Sequence, residues 1–525
     1  MTSTFHGLET SKRALFVNTT SMQTLGHNIA NANTEGYTRQ RVNSSATTPI
    51  WQIGMTKSAM PGQLGTGVQV DSITRLRDSY LDTQFRRENT SLGAWEVQNT
   101  TMTAIQDIIN EPSGNGLSAV MDDFWNSWET LNRDPSLLSA RVAVAGAAQN
   151  MTDTLKHISE SLTNLTTDTE SNIDKKLQQA NNIANNIAQL NVLIRDNESQ
   201  GDHANDFRDQ RDLLIDQLSR IVNITVTEEA NGMVNINAAG GTALVAGTAV
   251  TALTVVDADM ATGGELNGYA KSLQEVDTVR SQLDAMVNTL VHGKINVTLS
   301  NGYITPQAMT ALNNVTLKDG STINAGTLIP KGSEITSSMQ VQVNGFNGLH
   351  ELGYSLSDPA QAGIPFFVQS TGGTLTIENI GVNPAITKDT NMIAASSKYE
   401  TVNGVDKTIR GNSDIANALA SLRDATFTFP DSMTSLSQGT TDDYFRALTS
   451  DLGIRASNVE RNLNNQNDIT DSLEMSRQSV SGVSMDEELA DMIRFQQAYN
   501  AAARAMTTVD EMLDRIINQM GIVGR

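Results

Sequence analysis

The run Met485-Asp-Glu-Glu-Leu-Ala-Asp-Met492-Ile-Arg-Phe495-Gln-Gln-Ala-Tyr499-Asn-Ala-Ala502-Ala-Arg-Ala-Met506-Thr-Thr-Val509-Asp-Glu-Met-Leu513-Asp-Arg-Ile516-Ile-Asn-Gln-Met520-Gly-Ile-Val523-Gly-Arg525 decides how this chain is read. Every seventh residue from Met485 is Met485, Met492, Tyr499, Met506, Leu513 or Met520. Three residues after each, from Met492 on, come Phe495, Ala502, Val509, Ile516 and Val523. This period lays one narrow apolar stripe on a helix whose other faces are acidic or amide-rich, so a second helix is needed to cover it. A weaker copy of the pattern lies at the other end of the chain. Leu8, Leu15, Met22 and Ile29 are seven apart with Leu25 and Ala32 between them, and Ser11 and Asn18 occupy intervening seam positions. The two ends are expected to pair as a coiled coil.

Working outward, 525 residues exceed what one hydrophobic core supports, about 250 to 300 residues, so several domains are expected. A formal net charge of -22 and 5% aromatic residues argue against nucleic acid as a partner, because that surface needs clustered Lys and Arg. The absence of cysteine excludes disulfides, thiolate metal sites and a cysteine nucleophile. Ala14 to Val17 is too short an apolar run for a secretory signal. The uncharged stretch from Ala230 to Val256 is broken by Asn231, Asn235, Asn237, Gly240 and Gly241, and reads as strands, not a membrane span.

After the amino-terminal helix comes Asn28-Ile-Ala-Asn31-Ala-Asn33-Thr-Glu-Gly36-Tyr37-Thr-Arg-Gln40, where the asparagines compete for backbone hydrogen bonds and Gly36 is placed to end the helix. Gly62-Gln-Leu-Gly-Thr-Gly-Val68 misses both phosphate-loop spacings and reads as a turn into a strand. Met121, Phe124, Trp125, Trp128 and Leu131 share a helix face, as do Ile173, Leu177, Ala180, Ala184, Ile187 and Ile194. Asp134 and Pro135 together predict a helix start. Val222, Ile224 and Val226 alternate, and Asn231-Gly232 marks a hairpin. Met339, Val341 and Val343, and then Leu375 and Ile377, predict short strands.

The expected fold is multidomain and mainly α with β: terminal helices pairing as a coiled coil, a central helical bundle with a small sheet, and an inserted β-rich domain. The corresponding divisions are 1–60 with 478–525, 61–300 with 411–477, and 301–410.

Several of these stretches are recognisable. Asn28 to Gln40, Leu64-Gly-Thr-Gly-Val68, Arg75, Asp78, Leu81 and Phe495-Gln-Gln-Ala-Tyr499 resemble the terminal patterns of bacterial flagellar axial proteins. Phe124-Trp-Asn-Ser-Trp128 with Asn132-Arg-Asp-Pro-Ser136, Asn205 to Leu214, and Gly263-Gly-Glu-Leu266 resemble the hook-associated protein 1 family, over about 1–300 and 440–525. The resemblance implies a structural junction between hook and filament, assembling with copies of itself. Hook protein, the second junction protein and through it flagellin would be its neighbours. It also implies export through the flagellar apparatus without a cleaved signal peptide, and an export chaperone on the C-terminal helix. Asn28, Asn31, Asn33, Gly36 and Tyr37 are the motif residues. Leu8, Leu15, Met22, Leu25, Ile29, Met492, Phe495, Tyr499, Met506, Val509, Leu513 and Ile516 are the expected assembly residues.

No residue pattern calls for catalysis, a metal or another cofactor. The six histidines are dispersed, and Asp206, Asp209, Asp212 and Asp216 interleaved with Arg208 and Arg211 read as a salt-bridged helix face, not a calcium site. Alternatives are the hook subunit or second junction protein, or, from another class, a secreted glycan-binding protein or enzyme on a helical stalk. Burial of one terminal pair offsets only part of the entropy lost on ordering it, which leaves the pair marginal in a free monomer, so neighbouring subunits are expected to complete its packing.

Overall fold

The computed structural model describes residues 5–49, 65–114, 116–370, 372–430 and 436–519. Met520 and Val523 of the heptad run, and Gly62 to Leu64 of the expected turn, lie outside the described residues. The helices are α1 (His6–Ala30), α2 (Ser79–Ile109), α3 (Leu117–Arg133), α4 (Leu138–Glu198), α5 (Asn205–Ile221) and α6 (Val255–Asp259) in the first half. They continue with α7 (Gly264–His292), α8 (Gly345–Glu351), α9 (Pro384–Lys388), α10 (Asp414–Ala420), α11 (Thr441–Ser481) and α12 (Met485–Gln519). Helix dominates, with small antiparallel sheets, as the periodicities predict. Among the described residues no helix is long and apolar enough to cross a membrane.

The chain divides into two compact units, one of residues 1–96, 173–268 and 462–525, the other of 97–172 and 269–461. In the first, strands β1 (Gln40–Ala46) and β2 (Val68–Arg75) form an antiparallel ribbon with Gln40 opposite Arg75. Strands β3 (Ile224–Glu228), β4 (Val234–Ala238), β5 (Ala243–Ala246) and β6 (Ala249–Val250) make a four-stranded meander. Asn231-Gly232 sits in its first turn, where Gly232 has φ +81°. The amide-rich face of α4 has a purpose here. Buried Asn191 donates to the carbonyls of Val234 and Gly247 and accepts from Val234 N–H, so a side-chain amide fastens the sheet to the helix.

In the second unit β7 (Lys294–Leu299) pairs with Met339–Asn344, and Met339, Val341 and Val343 are buried as the alternation predicts. Phe124, Trp125 and Trp128 of α3 meet Phe346 and His350 of α8 together with Phe366 and Phe367 in one aromatic core. His350 is fully buried. Its Nε2 accepts from Ala394 N–H at 2.8 Å while Nδ1–H donates to the Ile364 carbonyl at 2.6 Å, and burial pushes its pKa down to about 4. Residues 301–410 hold several two-stranded pieces, such as Tyr399–Val402 with Val405–Thr408, and the short helices α8 and α9.

Four local expectations change. Helix α1 ends at Ala30, six residues before Gly36, because Asn31 turns its own N–H back on the last carbonyls. Helix α4 starts at Leu138, not Pro135, because Asp134 receives Ser136 N–H in a separate turn first. Leu375 and Ile377 are buried but lie outside any strand; Asn379 closes that loop by accepting Thr376 N–H. The aspartates of α5 do not pair along their own helix, as described next.

Candidate assembly site

Helices α1 and α12 pack on one another in the first unit. A Cβ on Gly7 would touch Val509 Cγ2 at 3.2 Å, and Asn28 hydrogen-bonds Glu488, so the two helices run in opposite directions. Both contact pairs are 21 residues apart on their helix, three heptads or about 30 Å of shared length. The buried positions of α1 are Ser11, Val17, Ser21, Thr24, Leu25 and Asn28, mostly small or polar. Ser11, Ser21 and Thr24 return their hydroxyls to the carbonyl four residues earlier, which makes their burial inexpensive. Of the expected assembly residues, Leu25 and Leu513 are buried. Leu8, Leu15, Met22, Ile29, Met492, Phe495, Met506 and Val509 are half-buried, while Tyr499 and Ile516 remain 36% and 44% exposed. Leu489, Ile493, Met512 and Ile517 of α12 and Phe16 of α1 are also exposed. Exposed apolar surface on paired helices is a feature of many protein–protein contact faces.

The motif residues gather where α1 meets the β1–β2 ribbon. Asn28 is fully buried and its carboxamide is satisfied on every valence. Its Nδ2 donates to Gln40 O and to Glu488 Oε2, and its Oδ1 accepts Gln40 N–H and the Tyr37 hydroxyl. Burial, then Asp206, Asp209 and Glu488, hold the Tyr37 phenol well above its ordinary pKa, so it stays a donor. Arg39 bonds Glu488 at 2.6 Å and Glu487 at 2.9 Å, and its N–H donates to Ser481 O at the end of α11. Asn31 caps α1, Asn33 is exposed, and Gly36 has φ +78° with its Cα beside Leu213. Gly36→Ala forces an L residue into that left-handed conformation against Leu213. It is expected to cost about 1–2 kcal/mol in denaturant unfolding, mainly through positive-φ strain.

Behind this junction lies a buried ring of alternating charge. Arg75 bonds Asp209 at 2.7 Å and Asp212 at 2.9 Å; Arg77 bonds Asp82 at 2.5 Å and Asp212 at 3.3 Å. Arg86 bonds Asp216 at 2.6 Å and Asp212 at 3.5 Å, and Arg477 closes the ring on Asp82 at 3.0 Å and Asp216 at 2.7 Å. Burial opposes ionisation of Asp212, but Arg77, Arg75 and Arg86 outweigh it and hold this carboxyl well below the usual range. For Asp209 burial wins over Arg75 and the pKa is raised. Arg208 and Arg211 face elsewhere, to Glu198 and Glu228 and to the Gly232 carbonyl, because helix geometry turns them away from the side that packs on α2. The network joins the end of β2, α2, α5 and α11, and Asp209 passes it to the junction by accepting Thr38 N–H.

Sequence reasoning missed Glu488, Arg39 and the arginines at 77, 86 and 477. One signal for Glu488 was available: it stands seven residues before Phe495, so an acid occupies the apolar seam. The arginines carry no such mark, since their partners in the ring are more than a hundred residues away except within the Arg77–Asp82 pair, and the local Arg477–Glu474 pair does not point to it.

Known proteins resemble the chain over its full length. The family model for the flagellar hook-associated protein FlgK helical domain matches residues 102–367. Flagellar hook-associated protein 1 of Bacillus subtilis is 32% identical over the whole of both chains. This chain belongs to the flagellar hook-associated protein 1 family. The Escherichia coli member is 26% identical over 95% of this chain and 96% of its own length. The flagellar hook junction protein FlgK from Burkholderia pseudomallei shares the fold at a TM-score of 0.50 and 14% identity, covering 76% of this chain and all of that one. A second family model, the C-terminal segment of flagellar basal body rod FlgEFG proteins, matches residues 476–520, which takes in the whole of α12. As a member of the hook-associated protein 1 family the chain is a structural component of the flagellum, and α12 is the part it has in common with rod proteins.

Proposed function

We propose that the chain joins hook to filament by packing its α1–α12 pair, as a coiled coil, against the same pair of neighbouring copies in a ring. Hook protein lies on one side of that ring. The second junction protein, and through it flagellin, lies on the other. The observation that carries this reading is the apolar surface left open on α12, including Leu489, Ile493, Met512 and Ile517, beside a seam that α1 covers only partly. The assembly part comprises 1–60 with 478–525, and 301–410, which completes the aromatic core on α3, lies outside it. No chemistry is required of any residue. The chain leaves the cell through the flagellar export apparatus without signal cleavage, and a chaperone shields the α12 stripe beforehand.

The five methionines among residues 485–520 suit a face that meets more than one kind of neighbour. Met506→Asp places a charge on the seam, where an unpaired carboxylate costs several kcal/mol to bury. Cells carrying it are expected to lose filaments and swarming, with junction protein released to the medium. A normally flagellated strain would sink the reading, and so would antibody to this chain labelling any place other than the hook–filament boundary.

A further inference from the structure

At the junction of α1, α12 and the ribbon, a fully buried carboxylate stands where the heptad calls for an apolar residue. Glu488 has no exposed surface, and its two oxygens are divided between two chain segments: Oε2 accepts from Asn28 Nδ2 at 2.8 Å and Oε1 from Arg39 Nε at 2.6 Å. These partners are 460 and 449 residues away in sequence. We propose that Asn28, Arg39 and Glu488 form a latch that makes the two ends of the chain order together and in a single register, with Glu488 as the positioning residue.

Neither half-docked state satisfies all of these groups. With α12 docked and α1 absent, a buried carboxylate lacks one of its two donors. With α1 docked and α12 absent, the Arg39 guanidinium and one Asn28 amide hydrogen lose their acceptor. Either half-formed state leaves a charge or a donor short, and such groups cost far more than the completed bonds return. Register follows from the same groups. A slip of one heptad sets Phe495 opposite Asn28 and Arg39 and buries their donors against a ring. An apolar residue at 488 would tolerate that slip. A single polar seam position commonly trades stability for a defined alignment. The latch acts within one chain and does not depend on which neighbours later cover α12.

The chain has no cysteine, so disulfide trapping across the far end of the pair is free of background. In the full-length protein with Gly7→Cys and Val509→Cys, the crosslinking rate across a urea series reports how often the helices close about 30 Å from the latch. Glu488→Leu and Asn28→Ala are each expected to slow crosslinking roughly 10- to 100-fold, as loss of a charged hydrogen bond implies. The double variant is expected to be no slower than the worse single one, because both break one device. Leu513→Ala, a packing change on α12, slows the rate but multiplies with Asn28→Ala. Unchanged amide exchange in β3 and β4, which belong to the same unit, checks that the rest of that unit stays folded in each variant. Rates within about twofold of the parent, or effects of Asn28→Ala and Glu488→Leu that simply multiply, overturn the latch. The ratio is read at urea concentrations where the parent's helices are mostly open, so that the rate tracks the closing equilibrium, and subunit assembly and the latch fail separately.

Discussion

Replacing Asp212 by asparagine is expected to lower the stability of its unit by about 3–5 kcal/mol, the usual penalty for removing one member of a buried ion network. Asp212 faces Arg75 at 2.9 Å, Arg77 at 3.3 Å and Arg86 at 3.5 Å, and its side chain is only 13% exposed. The asparagine fills the same space but leaves four arginines to three carboxylates. The loss is read as a shift in urea midpoint followed by amide exchange in α5, which sits at the centre of the ring. A change below about 1 kcal/mol would mean that solvent already screens the ring.

The pH dependence of the difference has a definite sign. The folded pKa of Asp212 is held below the unfolded value, close to 3.9, so its contribution is fully present above about pH 5. It disappears as acid titrates the folded carboxyl. Parent and Asp212→Asn stabilities are therefore expected to run parallel at neutral pH and converge in strong acid. Asp209 opposes this trend: its raised pKa means that protonation relieves a cost in the folded state.

The second large effect belongs to the other unit. Phe124→Ala is expected to cost about 3–5 kcal/mol, the range for deleting a fully buried phenyl ring. Phe124 has no exposed surface, and its centroid lies 5.1 Å from Trp125, 5.5 Å from Phe346 and 5.8 Å from Phe367. These neighbours come from α3, α8 and the strand that begins at Phe367, so they cannot all move inward to refill the space. Amide exchange in α3 and Met339–Asn344 is the measurement. The Asp212→Asn and Phe124→Ala effects are expected to add, because the residues sit in different compact units. A loss below about 1.5 kcal/mol for Phe124→Ala would show that the aromatic core collapses around the gap.

How far the chain could be read in advance depended on the distance over which each interaction acts. Helical and strand periods are local, so Ile173 to Ile194 on α4, Met121 to Leu131 on α3 and the alternation at 339–343 all appeared from spacing alone. Turn chemistry is local too, which is why Asn231-Gly232 fell in a hairpin turn. The exact ends of α1 and α4 were missed because capping depends on which of several side chains wins a backbone group, Asn31 over Gly36 in one case and Asp134 in a separate turn in the other.

The candidate site was legible in half. The heptad stripe marked the face of α12, and the resemblance marked Asn28 and Tyr37, but neither said what those residues touch. Spacing suggested that Asp209, Asp212 and Asp216 pair with arginines on their own helix. The fold instead offers them Arg75, Arg86 and Arg477 from three other elements, and a charge takes the partner that burial brings near.

By itself the sequence determined the helical character of the chain, the stripe on its last helix, the absence of any thiol chemistry and the family resemblance. All of these reside in neighbouring residues or in composition. Only the tertiary structure decided that Asn28, Arg39 and Glu488 meet, and that Arg77, Arg86 and Arg477 close a ring with Asp82, Asp212 and Asp216 to which Arg75 and Asp209 are attached. Long-range electrostatic pairing leaves no period in a sequence, because its partners are selected by the packing of distant helices.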